Sequence, residues 1–348
     1  MELHEKQTNS VSRRKVLEYG AALGGTAAMS SLISVEALAA GNAKVNMQLG
    51  WLASNGIMGE VVAKRMGYYK ELGIDLNVTP GGPGVDGVAS VAAGRAQSGQ
   101  LSSSPSLMLA RSAGIPVKAF AAGYQKHPFT YFSLKKNPIR TPKDMIGKTI
   151  ATQPTAVILL RALLAKNGIA EDQVKVVKMG SDMAQLMTGR VAAVTGWMTN
   201  TNALKILGKD RVDMMLWDAG IRLYANVYYT TDDMLAKHAD VLTRFLTGSA
   251  RGWGYARKNP KAAVDHLVAE YKNLNKASEM AAVGGVLGFS FDSVTAKEGW
   301  AAMNKANWQA QIDSYDSLKQ FKGTTPTVDD VMTDKILAAT EKLRKQIG

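Results

Sequence analysis

The chain has 348 residues, of which 46% are hydrophobic and 20% charged, and its formal net charge is +13. This length and hydrophobic content suffice for two lobes with a sizeable core. The Lys and Arg residues are scattered and not interleaved with aromatic residues, which argues against nucleic-acid binding, and the absence of cysteine excludes disulfides and thiolate chemistry.

The first 39 residues are predicted to be an export signal. Arg13 and Arg14 precede a mildly apolar run at 21–34 and the small-residue exit Ala37-Leu38-Ala39, a pattern typical of twin-arginine signal peptides. The run is too short and too rich in Gly to span a bilayer. The alternative is an amphipathic N-terminal helix whose arginine pair has no targeting role. We expect an exported, periplasmic protein.

After this segment, strand and helix patterns alternate. An alternating run at 45–51 predicts a strand that ends at Trp51, and a second strand precedes the Pro- and Gly-rich loop at 80–84. Further strands are predicted at 97–102 and 115–121, and helices at 58–67, 85–93 and 105–113. The short connections favour right-handed crossovers and a mainly parallel sheet.

The pattern breaks at 123–128, which we interpret as a hinge. A second set of strands is predicted at 129–134, 149–152, 174–179, 191–197 and 212–217, with helices at 155–165, 182–188 and 202–208. An apolar run at 223–229 carries the chain back to the first lobe, and helices dominate from residue 231. We therefore predict an α/β protein in which residues 40–125 and 228–348 form lobe 1 and residues 126–227 form lobe 2.

Polar side chains follow one strand in each predicted lobe. Ser102, Ser103 and Ser104 end a strand of the first lobe, and the segment TNTN at 199–202 follows Trp197 in the second. Hydroxyls and free backbone N–H groups at such a point hold a polar ligand without a catalytic residue. The duplicated arrangement predicts two lobes that face each other across a cleft.

Several candidate residues carry two interpretations each. One of the three serines is expected to cap the helix that begins at Pro105, which leaves the others free to meet a ligand. Trp197 either stacks on a ligand or packs against the following helix. Thr152 and Thr155 flank the start of a helix at Pro154, where N–H donors suit an acceptor atom.

The predicted crossings supply three more candidates. Tyr124, Gln125 and Tyr228 line either the cleft or only the hinge. Asp218 follows Trp217 at a strand end and is a candidate partner for an exocyclic amine. The motifs H-E-x-x-H, G-x-S-x-G and G-x-x-x-x-G-K do not occur in the sequence, so the signatures of zinc, acyl-transfer and phosphoryl-transfer enzymes are missing.

Several longer stretches carry a family resemblance. The segments AKRMGYYKELGIDLNV, GVASVAAGRAQSGQLSSSPSLMLA, PIRTPKDMIGKTIA and VLTRFLTGSARGWGYARKNPKAAV, with Trp51 at the end of strand one, resemble periplasmic substrate-binding proteins of ABC importers. The branch is the one that takes up sulfonates, taurine and thiamine-pyrimidine precursors. The resemblance extends from about residue 45 to about residue 345.

This resemblance implies a type II periplasmic-binding-protein fold with a two-strand hinge that closes around one small solute. It places the aromatic ring of Trp51 against the ligand. The alternative is that Trp51 packs in the core. It implies a permease and an ATPase as partners, and we expect a monomer with no catalytic residue, metal or cofactor. Paired indoles and neutral hydroxyls favour a planar nitrogen heterocycle such as a thiamine-precursor pyrimidine, and taurine or an alkanesulfonate is the alternative.

The same branch includes the thiamine-pyrimidine synthase, which uses pyridoxal phosphate, its own histidine and iron near a cysteine-rich motif. This chain has no cysteine and begins with a predicted export signal. We therefore favour a binding protein over this enzyme.

Overall fold

The computed structural model describes residues 42–82 and 84–348, so the predicted signal peptide lies outside the described residues. The described strands are β1 Ala43–Leu49, β2 Ile74–Thr79, β3 Ser98–Ser103, β4 Val117–Tyr124, β5 Phe129–Leu134, β6 Thr149–Thr152, β7 Lys175–Lys178, β8 Ala193–Trp197, β9 Arg211–Met215 and β10 Ala225–Thr231. No helix within these ranges is long and apolar enough to cross a bilayer.

Helices fill most of the remaining sequence. In the first two thirds of the chain they are α1 Met58–Arg65, α2 Tyr68–Glu71, α3 Gly87–Ala92, α4 Ser104–Ser112, α5 Val157–Lys166, α6 Ala184–Met187 and α7 Thr201–Leu204. The last third contains α8 Asp232–Lys237, α9 Ala239–Lys258, α10 Pro260–Glu270, α11 Lys276–Ser290, α12 Thr295–Glu298, α13 Lys305–Ser317, α14 Val328–Val331, α15 Lys335–Ala339 and α16 Glu341–Ile347. Short 3-10 helices lie at Asn55–Ile57, Pro142–Met145, Pro154–Ala156, Glu171–Gln173 and Lys205–Asp210.

The strands form two five-stranded sheets with the same topology. Their orders are β2-β1-β3-β10-β4 and β7-β6-β8-β5-β9. β1 pairs in parallel with β2 and β3, and β6 pairs in parallel with β7 and β8. The predicted α/β architecture with two sheets is therefore confirmed, and each sheet is mixed.

Each sheet contains one antiparallel strand that the sequence patterns did not indicate. β10 runs antiparallel to β3 and β4, and β5 runs antiparallel to β8 and β9. The physical reason is the crossing itself. β5 follows β4 of the other sheet and β10 follows β9, so each enters its new sheet from the side that faces the other lobe. The lobe limits at residues 125 and 227 stay a prediction, although β10 already joins the first sheet at Ala225.

The C-terminal helices cover the first sheet, and two glycines let α9 lie close to α1. A Cβ on Gly59 would lie 2.1 Å from Trp253 Cδ1, and a Cβ on Gly252 would lie 1.9 Å from the Gly59 carbonyl oxygen. Both positions therefore require glycine. The Trp253 indole of α9 stacks on Trp300 at 6.0 Å, which fixes this layer against the segment that follows α12.

A buried carboxyl lies in the same layer. Glu60 is fully buried and accepts hydrogen bonds from Tyr228 Oη at 2.5 Å and from Trp253 Nε1 at 3.2 Å. Burial raises the pKa of Glu60 from 4.5 to about 7, and the two hydrogen bonds oppose this increase. The folded chain therefore holds this proton at mildly acidic pH, where the unfolded chain has released it.

We predict that Glu60 makes the folded state less stable as pH rises from about 4.5 to about 7. The folded state binds the proton of Glu60 more tightly than the unfolded state does. The stabilisation from this proton is therefore fully present below pH 4.5 and is lost as pH rises through the folded pKa. The free energy of unfolding falls by about 3 kcal/mol over this range. Glu60→Gln keeps the shape without the charge. Urea unfolding at pH 5 and pH 8 should show a smaller loss of stability for this variant. The same pH dependence in both proteins would contradict the prediction.

Candidate functional site

The parallel strands of both sheets end at a common gap. In the first sheet, β1 ends just before Trp51 and β3 ends at Ser103. In the second sheet, β6 ends just before Gln153 and β8 ends at Trp197. Ligands of open α/β sheets bind outside the carboxyl ends of strands, so this gap is the candidate site.

The gap contains a cavity of about 430 Å³, a volume typical of a small-molecule site. Its aromatic walls are Trp51, Phe129 and Trp197. Its polar side chains are Asp86, Ser102, Ser103, Ser106, His127, Gln153, Thr155, Ser181, Thr195 and Asn200. Leu101, Leu109, Ile158, Leu159 and Met183 add apolar surface.

The two indoles lie on opposite lobes of the cavity. Trp51 follows β1 of the first sheet and Trp197 ends β8 of the second, and both side chains are half-buried. Trp197 is held from behind by Tyr124 at 5.8 Å and by His127 at 5.7 Å between ring centroids. Half-buried indoles on both sides of a gap suit a flat ligand that contacts both lobes.

The charge of the cavity wall is unusual for a protein with a net charge of +13. Asp86 is the one charged side chain among the described lining residues, which include no Lys or Arg. Asp86 already caps α3 by accepting a hydrogen bond from the Ala89 N–H. The wall is therefore built mainly of neutral polar and apolar groups.

Three helices begin at this wall. Residues 86–88 at the start of α3, Ser103 and Ser106 at the start of α4, and the 3-10 turn Pro154–Ala156 before α5 all line the cavity. Helix N-termini present N–H donors with a partial positive charge. The cavity therefore favours ligand atoms that accept hydrogen bonds.

A hydrogen-bonded network fixes the floor on the second lobe. Gln153 Nε2 donates to the Thr195 carbonyl at 2.9 Å, and Thr195 Oγ1 lies 2.9 Å from Gln153 Oε1 and 2.8 Å from Thr152 Oγ1. These groups satisfy one another, so they shape the cavity and leave little capacity for a ligand.

A small second pocket adjoins the main cavity and shares Trp51, Ser102, Trp197 and Asn200 with it. Its volume of about 30 Å³ holds about one water molecule or one small substituent. Gln100 Nε2 on its wall is buried without a hydrogen-bond partner. Asn226, also on the wall, has φ of 50° and donates from Nδ2 to the Gly56 carbonyl at 3.0 Å.

Hydrogen bonds join the two lobes beside the cavity. Asn55 Nδ2 donates to the Thr199 carbonyl of the second lobe at 3.2 Å, and within the first lobe it donates to Glu279 Oε2 on α11 at 2.8 Å. Thr201 Oγ1 donates to the Ser278 carbonyl at 2.8 Å. Burial raises the pKa of Glu279, and the Asn55 hydrogen bond opposes this. We call these five residues the interlobe bridge.

The structure brings five of the nine residues predicted for the site to the cavity. These are Trp51, Ser102, Ser103, Thr155 and Trp197. Their contact with a ligand stays a prediction. The expected serine cap was wrong, because Ser103 occupies the N-cap position of α4 and its side chain makes no capping bond.

The other four predicted residues do not line the cavity. The Ser104 hydroxyl contacts Gln311 and the Tyr224 carbonyl. Thr152 is turned into the network with Thr195, and Tyr124 is fully buried behind Trp197. Asp218 is an exposed partner of Lys126 at 3.2 Å.

Sequence reasoning missed His127, Phe129, Ser106, Ser181 and Asn200 as lining residues. His127 and Phe129 lie at the predicted hinge, so their position in the crossing segment was the available signal. Within the described ranges, no group of three or more His, Asp or Glu side chains is arranged to hold a metal ion.

Two curated relatives are similar over part of the chain. The riboflavin-binding protein RibY of Chloroflexus aurantiacus is 28% identical over 169 residues, which cover 47% of this chain and 48% of that protein. The formylaminopyrimidine-binding protein of Halalkalibacterium halodurans is 25% identical over 221 residues, which cover 62% of this chain and 66% of that protein. The chain thus spans about half of the first relative and just under two thirds of the second.

A solved structure matches over a larger share. The alkanesulfonate-binding protein SsuA of Xanthomonas axonopodis pv. citri has a TM-score of 0.64 at 17% identity, over 84% of this chain and 99% of that one. At this identity the likeness shows the fold alone, which is the predicted two-lobed type II periplasmic-binding-protein fold. The family model described as NMT1/THI5 like matches residues 54–263, more than half of the 348 residues. The chain therefore belongs to the NMT1/THI5-like family.

Proposed function

We propose that this protein is the solute-binding component of an ABC importer and that its ligand is a small, planar nitrogen heterocycle. It acts as a monomer in the periplasm, after export by the twin-arginine route, and delivers the ligand to a permease with an ATPase partner. The family and the two named relatives support the binding role. Both relatives are named for ligands that contain flat nitrogen rings.

The observation that carries the ligand class is the composition of the cavity wall. Indoles from both lobes face a volume of about 430 Å³ whose described lining contains no Lys or Arg. A flat, uncharged ring gains stacking and apolar burial from such walls. Hydroxyls and helix N-termini then fix its orientation through hydrogen bonds.

An alkanesulfonate is the second candidate, favoured by the helix N-termini that line the cavity. Each terminus contributes about 0.3–1 kcal/mol to an anion at exposed sites. Removing an anion from water without a cationic partner costs several kcal/mol. The helix termini do not offset this cost, so the heterocycle is preferred.

We further propose that the protein is not an enzyme. The synthase alternative needs iron near a cysteine-rich motif, and the chain has no cysteine. The cavity instead offers groups that bind and orient a ligand. Closure operates by population shift, because a ligand that contacts both indoles binds the closed form more tightly than the open form.

Thermal unfolding in the presence of candidate ligands tests the ligand class. Formylaminopyrimidine or riboflavin should stabilise the protein, whereas taurine and alkanesulfonates should not. A ligand at about 100 times its Kd adds about 2.7 kcal/mol, which raises Tm by about 4 °C for a protein of this size. A shift with sulfonates alone would keep the binding role and overturn the ligand class. A shift with pyridoxal phosphate alone would favour the synthase alternative.

The indoles can be tested one at a time. Trp51→Ala and Trp197→Ala should each weaken heterocycle binding by about 10- to 100-fold, because each removes a stacking surface at the centre of the site. Trp51→Phe and Trp197→Phe should retain most of the affinity. Titration calorimetry measures the four Kd values. Trp217→Ala is the matched control, since Trp217 lies outside the cavity lining, and an equal loss in this control would contradict the stacking role.

The interlobe bridge should stabilise the closed form whatever the ligand. Asn55→Ala removes both hydrogen bonds of this side chain and should weaken all ligands by a similar factor, about 5- to 100-fold. Small-angle scattering should show a larger radius of gyration for the empty variant. Asn77→Ala is the control, because Asn77 contacts Asn46 within the first sheet. A loss for one ligand only would argue against a role in closure.

A further inference from the structure

Ser103 is both the last residue of β3 and the N-cap residue of α4, so it lies where a strand of the first sheet reaches the cavity. Its backbone is extended, with φ of −152° and ψ of 145°. From this conformation an N-cap hydroxyl usually accepts a hydrogen bond from an N–H group of the first helical turn. The Ser103 side chain makes no such bond, so α4 begins without the cap that its sequence could supply.

The Ser103 hydroxyl is also without any other protein partner among the described residues. The residue is only 6% exposed. Unlike the polar atoms that are sealed inside the protein, such as Gln100 Nε2, its oxygen keeps accessible surface. Because Ser103 lines the cavity, this surface opens into it. A largely buried hydroxyl that no protein group satisfies is rare in native structures and calls for a reason.

The rest of the first turn of α4 favours a ligand atom that accepts hydrogen bonds. The Ser104 N–H donates to the Tyr224 carbonyl at 3.2 Å, and Pro105 has no N–H to offer. Ser106, the third residue of the helix, lines the cavity, and its N–H receives no cap from Ser103. The helix has nine residues, and its N-terminal end carries a partial positive charge.

We propose that Ser103 is a specificity-determining residue whose hydroxyl is withheld from the helix and donates a hydrogen bond to an acceptor atom of the ligand, a ring nitrogen or a carbonyl oxygen. This inference rests on the proposed function, because it places the ligand in the same cavity. The ligand combines a flat face for the indoles with an acceptor atom at the start of α4. An analogue without that acceptor leaves the hydroxyl unpaired and binds less tightly.

The withheld cap gives Ser103→Ala an unusual expected result. The variant removes the hydroxyl but no helix cap, so the Tm of the empty protein should stay unchanged. The affinity for formylaminopyrimidine or riboflavin, whichever the wild type binds, should fall by about 5- to 100-fold. Ser103→Thr keeps a hydroxyl at this position and should recover most of the affinity. Titration calorimetry measures the Kd values, and thermal unfolding of the empty proteins measures Tm.

Thr231 provides a matched control. It is the last residue of β10 and the N-cap residue of α8, and its hydroxyl does accept a hydrogen bond from the Met234 N–H, at 3.1 Å. β10 pairs antiparallel with β3, with Ala225 opposite Ser103, so Thr231 lies at the far end of the strand from the cavity. Thr231→Val removes only the hydroxyl. It should lower Tm by about 1–3 °C and leave the affinity unchanged, the reverse of Ser103→Ala.

Ligand analogues identify the acceptor atom. In each analogue one ring nitrogen is replaced by C–H, or one carbonyl is removed. At least one of them should bind the wild type about 5- to 100-fold more weakly than the parent ligand. Ser103→Ala should bind that analogue and the parent ligand almost equally well, because neither can then form the bond. If both proteins discriminate to the same extent against every analogue, Ser103 does not contact the acceptor and the inference fails.

The outcomes separate this inference from the proposed function. If the wild type binds neither formylaminopyrimidine nor riboflavin, the proposed ligand class fails and the role of Ser103 falls with it. If it binds one of them and Ser103→Ala binds it equally well, the role of Ser103 alone is overturned. A loss of affinity in Ser103→Ala that comes with a fall in Tm as large as that of Thr231→Val also overturns it, because the hydroxyl would then act through the helix.

Discussion

The site depends on one constraint, which is that the parallel strands of two facing sheets all end at the same gap. β1 and β3 deliver Trp51 and Ser103 from one side, and β8 delivers Trp197 from the other. Parallel strands present their carboxyl ends at a common edge, so residues far apart in sequence meet without any local signal. The antiparallel strands β5 and β10 result from linking these two sheets twice, and the first crossing places His127 in the cavity wall.

The same geometry makes the gap a weak point of the fold, because its two walls belong to different sheets. The interlobe bridge holds the lobes together with two hydrogen bonds, from Asn55 to the Thr199 carbonyl and from Thr201 to the Ser278 carbonyl. Each such bond contributes only about 1 kcal/mol net, which is small beside the stacking and burial that a ligand adds on both walls. In the proposed function, a ligand that contacts both walls therefore has enough differential affinity to decide between open and closed forms.

Strand ends could be predicted from the sequence because they depend on local periodicity and turn residues. Trp51, Ser102 and Trp197 were identified in this way, and each does line the cavity. Side-chain direction could not be predicted, since partners distant in sequence decide it. Thr152 turns to Thr195, and Ser104 turns to Gln311 on a helix 207 positions later. His127 was missed for a related reason, because its place in the cavity wall follows from the crossing between the two sheets.

A cavity without cations selects its ligand by a different principle from one that pairs charges. A cationic side chain attracts many anions, and its field reaches beyond contact distance. A neutral donor acts only at hydrogen-bond distance, and it penalises a ligand that leaves it unpaired. Discrimination by an unpaired polar group is larger than discrimination by apolar fit. In the proposed function, the indoles supply affinity for flat rings in general, and the neutral polar groups of the wall decide which ring is kept.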